Sequence, residues 1–309
     1  MRDAVVIVGG GMMGSGIGAV SALHGNRTIM VDVSIERARE AVARAAGCIS
    51  ELADNQLAAG EQAGRAMELL VAEEDMEEAF RSAYMVIEAI SENLELKQGI
   101  FERMDKLLPA KIPILSNTSG LRISDISKRM EHPERAVTAH FWYPAHLVPL
   151  VEVVMGEKSL ESVAVFVREE IRGWGKKPVR VKKDLPGQLA NRILQAVIRE
   201  AVNIVEMGLA APEDVDTAVK AGMGIRFPVW GPLEHIDAVG LDLCAHVQDT
   251  VLPELSSQPE AGRLMKDLVE EGNLGYKTGK GIYDWSGKDM KALEKKRNDF
   301  IIYALKKGL

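Results

Sequence analysis

Cysteine is scarce in this chain, with two in 309 residues, Cys48 and Cys244. They lie far apart with no partner spacing, so neither a disulfide framework nor a thiolate metal site is implied. Reduced thiols fit a cytoplasmic protein. None of the six histidines pairs with another, or with acids, at metal-ligand spacing, and no metal is expected. No run reaches the roughly 18 uninterrupted apolar residues of a membrane helix. Basic excess is also missing. Lys and Arg total 38 against 45 Asp and Glu, a net charge of −7, so neither nucleic acid nor a membrane surface is expected as a partner. The densest basic run, "KKPVRVKK" (176–183), reads as a solvated strand and its ends. Charged Arg2 and Asp3 lead directly into an apolar run at Ala4, without the h-region and cleavage site of a signal peptide. No internal repeat or low-complexity tract is visible.

What remains is an ordinary globular composition, 47% hydrophobic and 27% charged, in a chain long enough to split into two domains. "AVVIV" (4–8), "RTIMVDV" (27–33), "YMVIEAI" (84–90), "IPIL" (112–115) and "RAVTAHF" (135–141) are short apolar, β-branched runs that read as strands. Helical patterns lie between them. Residues 15–25 form one helix, and another follows Ser34 as N-cap. Strands alternating with helices imply an α/β fold with a doubly wound parallel sheet. Pro186 and Gly187 then break the chain, and helical periods follow at 188–208, at 211–222 and from about Met290. The reading is therefore a domain over 1–185 and an all-α domain over 186–309. The last helix carries Leu293, Phe300, Ile301 and Leu305 at helical spacings, a face expected to pack on the body or on a partner subunit.

Gly9, Gly11 and Gly14 in "VIVGGGMMGSGI" (6–17) fit G-x-G-x-x-G between a strand and a helix. The first glycine allows the tight turn, the second lets backbone N–H groups approach a pyrophosphate, and the third lets helix and strand pack closely. Asp32 ends the next strand, 18 residues past Gly14 (32 − 14). A carboxylate there accepts hydrogen bonds from an adenosine ribose and repels a 2′-phosphate. Val33 and Ser34 offer no arginine to receive one. NAD is the expected cofactor, ahead of NADP or FAD.

Further stretches add to this one: "VIEAISENLELKQGIFERM" (86–104), "SNTSG" (116–120), "HFWYP" (140–144) with "LVPLVEVV" (147–154), "DLPGQLANRIL" (184–194), "GPLEHIDAVGLD" (231–242) and "LGYKTGKGIYDW" (274–285). Together they resemble the 3-hydroxyacyl-CoA dehydrogenase family over nearly the whole chain. The resemblance implies a Rossmann-type NAD-binding domain followed by a helical substrate domain through which a homodimer forms. It places cofactor contacts at Gly9, Gly11, Met12, Met13, Gly14, Asp32, Glu92, Lys97 and Asn117.

Oxidising a secondary alcohol requires a base for the hydroxyl proton while hydride leaves carbon. Histidine titrates near neutrality, and a carboxylate on its other ring nitrogen sets the tautomer and stabilises the imidazolium. His140 ends one strand, and Glu152 sits within the apolar "LVEVV" of the next, where an acid is costly unless paired. The family carries its catalytic pair at these positions. Ser119 matches its serine on the substrate oxygen, and Asn191 matches the asparagine that completes the site.

Departures from the family concern the substrate. Where thioester-specific members carry a lysine-rich hairpin, residues 48–70 hold one basic residue, Arg65, among four acids. Tyr143 and Pro149 replace an asparagine and a lysine usual in the histidine motif. "GMGIRFPVWGP" (222–232) inserts Arg226, as in the branch handling free hydroxy acids, the gulonate and carnitine dehydrogenases. Arg226 reads either as a surface residue or as a clamp on a substrate carboxylate. The expected substrate is a small 3-hydroxy acid with a free carboxylate. A 3-hydroxyacyl-CoA is the first alternative, and a catalytically silent structural protein of the lens type is another. A dehydrogenase with a lysine base on the long helix is disfavoured, because no lysine lies between Pro186 and Asn191.

Overall fold

The computed structural model describes residues 4–308; Arg2 and Asp3 lie outside them. Eight strands form one sheet: β1 (Ala4–Val8), β2 (Thr28–Val31), β3 (Leu70–Glu73), β4 (Ala83–Glu88), β5 (Ile114–Ser116), β6 (Ala136–Phe141), β7 (Leu150–Met155) and β8 (Lys177–Val181). Their order is β3-β2-β1-β4-β5-β6-β7-β8. The first six strands have the order of a dinucleotide-binding sheet.

One feature corrects the expectation of a parallel sheet. β7 runs antiparallel to β6, with His140 directly opposite Glu152. Only residues 142–149 separate the two strands, and a parallel crossover needs a dozen or more. β3 is absent from the sequence reading because its "LVAE" is short and mostly half-buried, with no apolar run to mark it.

Helices cover the sheet: α1 (Met12–Leu23), α2 (Ile35–Asp54), α3 (Gly60–Glu68), α4 (Met76–Phe80), α5 (Leu94–Leu107), α6 (Ile123–Ile126) and α7 (Glu161–Gly173). Both faces of β1 are buried. Ala4, Val6 and Val8 join one core cluster, while Val5 and Ile7 join the other. That is why the strand reads as a continuous apolar run. α1 is buried at every residue from Gly14 to Leu23. α2 starts at Ser34, whose hydroxyl accepts the Arg37 N–H. It turns Ala38, Ala41, Ala45, Ile49 and Leu52 inward, and the small alanines let it approach α1 closely.

Contacts divide the chain into two compact units. The first runs through Ala190 and includes Ile301–Tyr303, where Ile302 joins Ala22, Ile49 and Leu147 in a third apolar cluster. The second holds most of α8 (Ala190–Glu206), then α9 (Pro212–Ala218), α10 (Pro232–Val239), α11 (Leu241–Val251), α12 (Arg263–Glu270) and most of α13 (Met290–Lys306). Leu189 and Ala190, just past the expected boundary at 185, stay with the first unit, their N–H groups bonded to Glu152 of β7. In the second unit Val202 is the one buried apolar side chain among the described residues. No helix among the described residues is long and apolar enough to cross a membrane.

Candidate active site

The glycine turn follows from contacts that exclude a side chain. Gly9 has φ +101°, and a Cβ there would lie 2.7 Å from the Ala89 carbonyl oxygen. A Cβ on Gly14 would lie 1.9 Å from the Gly9 oxygen. Gly11 differs: nothing stands within 4 Å of its Cβ position, so its face of the turn is open. Gly11 is also the N-cap of α1, whose first N–H groups and dipole favour an anion. Gly10, which the motif leaves unassigned, is also required, because its Cβ would meet that of Ala41 at 2.3 Å. Replacing Gly14 with alanine is expected to destabilise the domain by about 1–3 kcal/mol through overpacking. Thermal melting and an NADH fluorescence titration check this, with weaker NADH binding the expected companion.

Asp32 directly follows β2. Its Oδ2 accepts the Gly10 N–H and its Oδ1 the Val33 N–H, both at 2.8 Å. Gly9, Gly10, Gly11 and Asp32 line a cleft of about 550 Å³ together with Val33 and Arg37. A glycine cradle with one open face, a helix N-terminus and a carboxylate at the far strand fit a dinucleotide. When bound, it would rest on the turn and meet Asp32 with its ribose. Arg37 escaped the sequence reading, which looked only at positions 33 and 34. One turn into α2, its Nε returns to within 3.7 Å of Asp32 Oδ1. Met12 is 70% exposed, whereas Met13 packs partly against the core.

The predicted pair is formed. His140 Nδ1 lies 2.8 Å from Glu152 Oε2. Glu152 is fully buried and His140 is 8% exposed. The same Glu152 oxygen accepts from Trp142 Nε1 at 3.0 Å. Oε1 accepts the backbone N–H groups of Leu189 and Ala190 at 2.9 and 2.8 Å. Burial pushes the Glu152 pKa up, but the bonds from His140, Ala190, Trp142 and Leu189 outweigh it and hold the carboxyl at about 2. It is therefore an anion throughout the working range. It accepts the His140 Nδ1–H, which leaves Nε2 as the lone-pair nitrogen. No described residue bonds that Nε2. Trp142 was missed as a site residue. The signal was its place two positions after His140, on the same side of an extended chain.

The loop 142–149 between the paired strands is pinned by Lys176. Its Nζ donates to the carbonyls of Ala145 and Val148 at 2.6 and 2.9 Å, and burial pushes its pKa down to about 7.

The "SNTSG" loop leaves the carboxyl end of β5. Asn117 Oδ1 accepts the Phe141 N–H at 2.8 Å, which ties this loop to the residue after His140. Glu92 Oε1 gathers the Thr118 hydroxyl and the N–H groups of Ser119 and Gly120 at 2.6 to 3.1 Å. Burial pushes the Glu92 pKa up, and these bonds with nearby Lys97 bring it below the usual carboxylate range. Ser119 itself is exposed. Lys97 is 1% exposed. Its Nζ lies 2.6 Å from Glu88 Oε1 and 3.4 Å from Glu92 Oε2, so it props the loop's anchor from inside. Glu88 was also missed, although an acid closing the apolar strand "YMVIE" was its signal. Asn191 and Arg226 belong to the second unit. Asn191 Oδ1 accepts from Gln195 at 3.4 Å. Arg226 lies 3.3 Å from His235 Nδ1 and over the Trp230 ring, and no described carboxylate pairs with it.

Comparison with known proteins agrees with this geometry. Residues 4–185 match the 3-hydroxyacyl-CoA dehydrogenase NAD binding domain, and residues 187–285 match the C-terminal domain of the same family. The chain is 33% identical to 5-formyl-3-hydroxy-2-methylpyridine 4-carboxylate 5-dehydrogenase of Mesorhizobium japonicum, over 95% of this chain and 94% of that protein. It is 35% identical to the mitochondrial hydroxyacyl-coenzyme A dehydrogenase of Sus scrofa, over 91% of this chain and 90% of the other. Among solved structures, a 5-formyl-3-hydroxy-2-methylpyridine 4-carboxylic acid 5-dehydrogenase described as an NAD+ dependent dismutase superposes with a TM-score of 0.90. It shares 31% identity and covers 98% of this chain and 97% of its own. The chain belongs to the 3-hydroxyacyl-CoA dehydrogenase family and is an NAD-dependent oxidoreductase.

Proposed function

We propose that this protein reversibly oxidises the secondary hydroxyl of a 3-hydroxy acid bearing a free carboxylate to the 3-oxo compound. The observation that carries the reading is His140, with Nδ1 held by a buried anion and Nε2 left open. NAD, when bound, supplies the hydride acceptor. His140 Nε2 takes the hydroxyl proton as hydride leaves the same carbon, and Glu152 stabilises the imidazolium formed. Ser119 and Asn191 hold the substrate oxygen, and Arg226 holds the carboxylate. In the reverse direction the imidazolium returns its proton to the oxo oxygen.

Three features favour the free acid over a coenzyme A thioester. Arg65, the one basic residue of the 48–70 stretch, is paired with Glu61 at 3.2 Å, so little there would meet nucleotide phosphates. Arg226 has no acid partner among the described residues. The Mesorhizobium relative is named for a substrate with a free carboxylate. The thioester reading draws on the Sus scrofa relative, which is named for coenzyme A substrates. A panel of free hydroxy acids and 3-hydroxyacyl-CoAs, scored by NADH production, separates the two. Arg226→Ala is expected to raise KM for the acid by about tenfold or more with little change in kcat, the loss of one charge-assisted contact. An unmoved KM removes the clamp.

We also propose a homodimer formed through the second unit. Leu209, Ile225, Phe227, Val229 and Leu233 are exposed there. α8 and α9 border an apolar groove of about 790 Å³ lined by Ile193, Val197, Ile204 and Val215. Monomeric proteins seldom leave that much apolar surface uncovered. Light scattering on the purified protein is expected to give twice the chain mass, and a monomer at micromolar concentration overturns the assignment.

A further inference from the structure

Gln188 has no part in the reading above, yet it joins its two halves. The side chain is 6% exposed. Its Nε2 donates to the Thr118 carbonyl at 2.9 Å, on the loop whose next residue is Ser119. Its backbone is left-handed, with φ +52° directly after Gly187 at +78°. A non-glycine residue in that region costs about 1 kcal/mol or more. The turn leads into two consecutive N–H groups, Leu189 and Ala190, that both reach Glu152 Oε1. Reversing the amide would set its oxygen against the Thr118 oxygen, so the orientation is dictated. Gln188 Oε1 is then buried with no hydrogen-bond partner among the described residues, and an unsatisfied buried acceptor costs about 1–3 kcal/mol. Strain and an orphaned oxygen at one position are not accounted for by stability, and such conflicts gather at functional sites.

We propose that Gln188 is a positioning residue that locks the Ser119 loop to Glu152 and, through Glu152, fixes the orientation of the His140 ring. The proposal rests on His140 as the base. With the carboxamide gone, the 187–190 turn loosens from the loop and its N–H groups withdraw from Glu152. Glu152 then loses two of the donors that fix it, and the His140 ring it orients is no longer held in one pose.

Two variants test this. Gln188→Met keeps the length and removes the donor. Gln188→Gly also removes the tie but adopts the left-handed turn freely, so it folds even where methionine does not. The first measurement is the NMR signal of the His140 Nδ1–H in the protein without added substrate, assigned with His140→Asn. Broadening or an upfield move of that signal, the mark of a weaker bond to Glu152, is expected in both variants. The second is kcat and KM with 3-hydroxybutyrate and 3-hydroxybutyryl-CoA as free-acid and thioester probes. A fall in kcat of about tenfold is expected, with KM for NAD changed by less than about twofold. A folded Gln188→Gly protein with an unmoved His140 Nδ1–H signal overturns the proposal. So does a change confined to melting temperature, or one confined to KM for NAD. Full kcat in His140→Asn defeats the base assignment instead, and the Nδ1–H signal then judges Gln188 by itself.

Discussion

His140→Asn is expected to lower kcat by about 10²–10⁴-fold, the usual contribution of a positioned general base. NADH affinity, measured by fluorescence titration, should stay close to that of the parent, because His140 lies outside the glycine cleft. The residue is the next to last of β6 and nearly buried, so its side chain cannot adopt another position cheaply. Its Nδ1 is committed to Glu152 at 2.8 Å, and only Nε2 can meet a substrate. Asparagine preserves a polar group but offers no nitrogen that titrates near neutrality. A variant that keeps its turnover sinks the assignment of the base.

Glu152→Gln is the second large effect, and it tests tautomer rather than the presence of the base. Four donors converge on this carboxylate, from His140, Trp142, Leu189 and Ala190. A carboxamide has one oxygen to offer. If it serves the two backbone N–H groups, its NH₂ faces His140 and Trp142. The imidazole then accepts at Nδ1 and carries its proton on Nε2, the wrong nitrogen for a base. A loss of about 10³–10⁴-fold in kcat is expected, by analogy with the removal of the orienting carboxylate in a catalytic triad. The parent and this variant should also differ in acid. Glu152 titrates at about 2 in the folded protein, against 4.5 ordinarily. A depressed carboxyl stabilises the fold above its unfolded pKa and loses that contribution as pH falls through the folded one. The window is therefore pH 4.5 down to about 2, and the contribution is up to about 3 kcal/mol. Melting curves across that range should show the loss in the parent and not in the glutamine variant. Matching slopes would mean that Glu152 does not carry it.

Some parts of this molecule are legible in the sequence. β1 is apolar on both faces because both are buried, and that leaves an unbroken run of five residues. Gly14 reads as glycine because a neighbouring carbonyl occupies the Cβ position. Glu152 stands out as an acid in an apolar strand, which implies a partner. Such features are local, or break a local rule so plainly that a compensating contact is required. β3 carried no such mark, since a short, mostly half-buried edge strand needs no apolar run. Arg37 was overlooked because a helical turn, not sequence adjacency, brings it back to Asp32.

The residue types of the chemistry, the turn that cradles a dinucleotide and the alternation of strands and helices were set by the sequence itself. They depend on periodicity and on steric demands within a few residues. Tertiary structure alone decided that β7 reverses against β6, which places His140 opposite Glu152 in register. It alone brought Trp142, Leu189 and Ala190 onto one carboxylate, and tied Gln188 to a loop 70 residues earlier. Hydrogen bonds over such separations leave no period in the chain, because each is specified by packing that forms only once the sheet and its loops are in place.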